Sequence, residues 1–160
     1  EVLQRKLEVV KKKYSESETD FRRYVFLAVS SIYGIDILLD NVISCRKRLL
    51  GLVKSQSIKY IEKNEQDAYF TVIEFLLAKN IIWGDAISLN FADSNQPIIF
   101  SEWSIASGNM VKRTDYAFNN ILAYQPFDGD SLFSDLGDEV ILPHPHKTFP
   151  LAHLMSINDG

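Results

Sequence analysis

Between Tyr24 and Ile43 the chain carries twenty largely apolar residues, bounded by Arg22 and Arg23 before and by Arg46, Lys47 and Arg48 after. A run of that length must leave water, either into a bilayer or into the core of the fold. The bilayer is the poorer home. Asp36 and Asp40 would each cost about 3 kcal/mol near its centre, and Ser30, Ser31 and Asn41 add to that. The stretch therefore reads as a central helical segment covered by the rest of the protein, from about residue 20 to Val53, with Gly34 and Gly51 as the places where it can break.

The periodicity around this segment sets the fold class. Leu3, Leu7, Val10 and Tyr14 recur at helical steps, with Lys11, Lys12 and Lys13 on the other side, which marks an amphipathic first helix. Ser15 to Glu18 has capping-box spacing, with Thr19 and Asp20 as further caps. A third helix follows Asn64, with Glu65 and Asp67 in its first turn and Tyr69, Val72, Ile73 and Leu76 as its apolar stripe.

Past Asn80 the period falls to two. Ile87, Leu89 and Phe91 alternate with polar residues, Asp93 to Pro97 is a turn, and Ile98 to Trp103 returns, giving an antiparallel hairpin near 86–104. Thr114 caps a short helix towards Tyr124, and Glu139 to Leu142 makes a further short strand. Helices first and strands after predict an α+β fold, with N-terminal helices packed on a small antiparallel sheet. The whole of 1–160 reads as one domain, helical to about residue 80 and mixed beyond it. At this length a chain buries roughly 70% of its unfolded surface and needs neither disulfides nor a metal to fold.

Charge divides the chain as sharply as periodicity does. Residues 1–63 hold 13 Lys plus Arg against 8 Asp plus Glu, a balance of +5; residues 64–160 hold 4 against 13, a balance of -9. The basic end, with Tyr14, Tyr24 and Tyr60 nearby, is weak as a nucleic-acid surface because the chain is acidic overall. A winged-helix reading fails at the hairpin tip, which carries Asp93 where a phosphate-facing wing needs Lys or Arg. Nothing reads as a signal peptide. The lone Cys45 sits in an apolar stretch, which predicts a buried thiol in a reducing, cytoplasmic setting.

Three groups of residues carry possible chemistry. In Asp128 to Glu139, Asp128, Asp130 and Glu139 stand at EF-hand positions one, three and twelve, but Leu132 and Phe133 occupy places that need an oxygen ligand and Gly. The segment reads better as a docking surface for a basic protein, with Asp128, Asp130, Asp135, Asp138 and Glu139 as its charges and Phe127 and Phe133 as anchors. His144-Pro145-His146 after an expected strand resembles the first metal-ligand pair of the amidohydrolase barrels. That fold needs about 250 residues, and only His153 and Asp159 remain downstream, so His144, His146 and His153 stand as an alternative metal set. Asp36 and Asp40, one helical turn apart, are an alternative acid and base pair.

No cofactor is implied, and no nucleophile elbow, phosphate loop, dinucleotide fingerprint or paired Cys-x-x-Cys occurs. The expected partner is another protein, with neither nucleic acid nor membrane implied. In its most concrete form, the expectation is a bacterial immunity protein that neutralises a toxin by covering its basic active site. A further alternative is a structural subunit that self-associates through the Leu3, Leu7, Val10 and Tyr14 face of the first helix.

Overall fold

The computed structural model describes residues 1–123 and 144–158. The fold is α+β. Helices α1 (Val2–Tyr14) and α2 (Glu18–Ser30) lead into strand β1 (Gly34–Asp36) and helix α3 (Leu39–Ser57). Helix α4 (Gln66–Asn80) then runs into β2 (Ile81–Asp85). The second part holds β3 (Asn90–Phe91), β4 (Ile99–Ser107), β5 (Met110–Ala117), helix α5 (Phe118–Ala123), β6 (Lys147–Thr148) and β7 (Ala152–His153).

The apolar run is not one helix. Ser17 caps α2, its Oγ accepting the Asp20 N–H at 3.3 Å, and α2 buries Phe21, Val25, Phe26 and Val29. It ends at Ser30, just ahead of Gly34, and the chain extends into β1, which pairs in parallel with β2 through Gly34, Ile35 and Asp36 against Ile81, Ile82 and Trp83. The break expected at Gly34 or Gly51 falls at the first. Gly51 lies inside an unbroken α3, where a helical backbone tolerates glycine for about 1 kcal/mol. Cys45 on α3 is half-buried rather than buried. Among the described residues no helix is long and apolar enough to cross a membrane.

The expected hairpin at 86–104 is displaced. Asp85 ends β2 by accepting the Ile87 N–H at 2.8 Å. That bond, with one from the Ser88 side chain, holds its carboxyl below the usual range. Leu89 takes a left-handed φ of 62°, which breaks the alternation, and Ile87 stands 94% exposed. Of the expected pairing only its tip forms, as a single bridge between Asn90 and Pro97. The long hairpin is β4 with β5, turned at Gly108, whose φ is +54°. Thr114 lies within β5 and caps nothing; the short helix begins only at Phe118. The strand expected at 139–142 lies outside the described residues.

One core joins the two parts. It runs from Leu3, Leu7 and Val10 through the α2 and α4 stripes to Trp103, Val111, Leu154 and Ile157. The face expected for self-association is turned inward: Leu3, Leu7 and Val10 are buried within the chain, and Tyr14 stacks on Tyr24 at 3.7 Å between ring centroids. Arg46 ties α3 to the end of α4, donating from Nε to Ile81 O at 2.9 Å and from Nη2 to Ala78 O at 3.0 Å, near the helix terminus where carbonyls lack intrahelical partners.

Tyr69 on α4 is fully buried, its hydroxyl donating to Arg22 O at 2.8 Å. Burial pushes its phenol well above the usual range, against a smaller opposing pull from the Arg22 charge. A raised folded-state pKa stabilises the fold in full below the unfolded value of about 10 and is lost as pH rises above it, by about 1.4 kcal/mol per pH unit. Tyr69→Phe should cost about 1 kcal/mol at neutral pH through the lost hydrogen bond. It should also flatten the decline in stability above pH 10 by one proton's worth. Urea unfolding of both chains from pH 8 to 11.5 reads this, and parallel curves would contradict it.

Candidate functional site

The acidic residues Asp128, Asp130, Asp135, Asp138 and Glu139, with Phe127 and Phe133, lie outside the described residues. The three histidines do not converge. The His146 N–H donates to Asp115 O at 2.8 Å, whereas His153 pairs with Met110. Those β5 positions are five residues apart, about 17 Å along a strand. His153 Nδ1 accepts the Met155 N–H at 3.2 Å, and no group of three metal-competent side chains exists among the described residues.

Asp36 and Asp40 do not share a helix. Asp36 closes β1, accepting the Leu38 N–H at 2.8 Å and the Asn41 side-chain amide at 3.0 Å, so it shapes the entry to α3. Asp40 is exposed in the first turn of α3, where the helix dipole favours a carboxylate.

What the fold does assemble is a charged row on the inner face of the β4–β5–β6 sheet. Strand alternation puts every second residue on that face. Ser101, Asp115 and Lys147 stand opposite one another across the three strands, and Trp103 stands opposite Arg113 one step along. The Phe149 N–H donates to Arg113 O at 3.0 Å and extends that second row. Helix α4 covers the face with Phe75 and Lys79, the Phe75 ring centroid 5.9 Å from the Arg113 guanidinium carbon.

Arg113 and Asp115 form a fork, Nε to Oδ1 and Nη2 to Oδ2, both at 2.8 Å. Ser101 Oγ donates to Asp115 Oδ1 at 2.7 Å and accepts from Arg113 Nε at 3.2 Å. The two charged side chains are only 12% and 9% exposed. No acceptor among the described residues meets Arg113 Nη1. The guanidinium carbon lies 4.1 Å from the Phe149 centroid and 5.4 Å from that of Trp103, and Lys147 Nζ lies 4.4 Å from the Phe149 centroid. Burial, with the neighbouring Arg113 charge, lowers the Lys79 pKa, and Asp115 opposes the shift. Lys79, Ser101, Arg113, Asp115, Lys147 and Phe149 border a cleft of about 490 Å³ whose remaining walls include Ile82, Phe91 and Ile99. Chemically, the arrangement attracts negative charge; Ser101 is tied to the ion pair, and no imidazole reaches its hydroxyl among the described residues.

A second feature lies at the corner from β1 into α3. Ile37, Leu38, Leu39 and Ile43 are between 42% and 59% exposed. Leu39 and Ile43 are one helical turn apart, and Ile43 borders a groove of about 380 Å³ between α3 and α4 with Leu50, Leu77 and Ala78. β1 is an edge strand, and its outer side has no strand partner among the described residues.

No protein-family model, curated protein or solved structure matches the chain.

Sequence reasoning passed over Lys79, Arg113 and Lys147. The signal was present but not local: in the part of the chain with 13 carboxylates and four cations, these are three of the four, and only the fold brings them to one cleft.

Proposed function

We propose that the protein works by binding another protein. The observation that carries this reading is the apolar corner: four large aliphatic side chains in water, continuous with a groove and beside a strand edge. A folded chain gains by burying such a surface, and side chains arranged this way commonly mark interaction sites.

The narrower reading is a bacterial immunity protein acting in the cytoplasm, with Asp128, Asp130, Asp135, Asp138 and Glu139 set against a basic toxin and Phe127 and Phe133 anchoring the contact. Its support is electrostatic. With Lys79, Arg113 and Lys147 gathered in the cleft, the exposed carboxylates Asp67, Glu74, Asp93 and Glu102 share their part of the chain with one other cation, Lys112. An acidic surface of that kind speeds encounter with a basic partner and loses its effect in salt.

The test immobilises the full chain beside two variants, Leu38→Asp with Ile43→Asp, and reversal to Lys at the five acidic positions. Each is exposed to lysate of the source organism at low and moderate salt. The expected result is one stoichiometric basic protein, released by moderate salt, absent from the first variant, and associating at least about tenfold more slowly with the second. Capture of the same set of proteins by all three chains would sink the reading.

A further inference from the structure

We propose that the cleft between α4 and the inner face of β4–β5–β6 binds a small phosphate monoester carried on an apolar body. This inference is independent of the protein-binding reading and rests on different residues.

Charge comes first. Lys79, Arg113 and Lys147 reach one cleft from three separate elements, and Asp115 offsets only one of them. Among the described residues neither ammonium has a carboxylate partner and Arg113 Nη1 meets no acceptor, which leaves it two further N–H donors. The residual charge of about +2 matches a phosphate dianion better than a carboxylate. The Arg113 fork to Asp115 fixes the guanidinium in advance, so placing its charge beside the cleft needs no rotamer search.

The walls specify the remainder of the ligand. Phe149 holds both Arg113 and Lys147 near its ring, and Phe91, Ile82 and Ile99 provide apolar surface within the same space. About 490 Å³ falls within the range of small-molecule sites, which pair apolar walls with a few placed polar groups. The lowered Lys79 pKa agrees with this: a bound dianion would relieve the cost of its burial and of its repulsion by Arg113.

The full chain is titrated at low ionic strength with phenyl phosphate, inorganic phosphate and benzoate, each followed by calorimetry and by amide chemical shifts. Phenyl phosphate should bind saturably, with shifts concentrated near residues 79, 113 and 146–149. Inorganic phosphate and benzoate should bind at least about tenfold more weakly. Lys79→Met with Lys147→Met should weaken phenyl phosphate about 100-fold, about tenfold for each charged contact, with the thermal midpoint unchanged. Should the double variant not fold, Lys147→Met alone, on an exposed strand, should show its tenfold share. Benzoate binding as tightly as phenyl phosphate would overturn the phosphate assignment. No saturable binding, or variants that bind as the parent does, would overturn the site.

Discussion

Asp115→Ala should lower the free energy of unfolding by about 3–5 kcal/mol, the cost of leaving a buried charge without its partner. Arg113 would keep its place among Phe75, Trp103 and Phe149, only 12% exposed, with both fork bonds gone and Ser101 deprived of its acceptor. Water reaches too little of the guanidinium to replace the lost bonds. Replacing both partners, Arg113→Met with Asp115→Leu, should recover most of the loss, because a well-packed apolar pair is often as stable as the ion pair it replaces. Urea unfolding of the three chains measures this. A loss of 0.5 kcal/mol or less in Asp115→Ala would mean that the guanidinium is solvated and the row is not a buried one.

The same logic of exchange gives the ion pair a meaning beyond stability. If an apolar pair can hold this sheet face together, the charges are best understood through the cleft they border, where Asp115 orients Arg113 and Lys79 and Lys147 flank it.

Trp103→Ala should cost a further 3–5 kcal/mol, on the order seen for large aromatic truncations in cores. Trp103 projects from β4 to the helices, edge-on to Phe26 of α2 and Phe75 of α4, each at 6.1 Å between centroids. Its Nε1 donates to Asn80 Oδ1 at 3.3 Å, and the Asn80 amide donates to Ser30 O at 2.9 Å. Removing the indole opens a cavity and strips a buried amide of one partner. If 1–160 is a single domain, the variant should unfold in one transition at lower urea, seen alike by far-ultraviolet circular dichroism and by tyrosine fluorescence. Two separated transitions would show that helices and sheet hold together independently.

The helices were legible where one face is apolar and nothing else competes. Leu3, Leu7 and Val10, and Tyr69, Val72, Ile73 and Leu76, are all buried as their spacing implies. β5 was illegible for the opposite reason. Val111, Arg113, Asp115 and Ala117 are its inward residues, so the two charges erase the alternation that marks a half-buried strand. β1 and β2 were hidden because each continues an apolar helical run, β1 being only three half-buried residues after α2 and β2 following α4 directly, so a helix can equally claim both. Of the strand expected at Ile87 to Phe91 only Asn90–Phe91 forms, because a side-chain turn at Asp85 and the left-handed Leu89 redirect the residues before it. The cleft was beyond reach, since its cations stand 34 residues apart and no local spacing joins them.

The seven residues from Lys147 to His153 run along the side of β5 away from β4, in two short paired pieces with Phe149 between them also bonded to Arg113. Without them the central strand of that sheet would become its margin, a row of open amides and carbonyls ready to recruit another chain. A segment that looks from its prolines like an incidental extension therefore works as a selvedge. Shortening the protein from its C-terminal end would first strip Leu154 and Ile157 from the core and then bare this strand edge to aggregation.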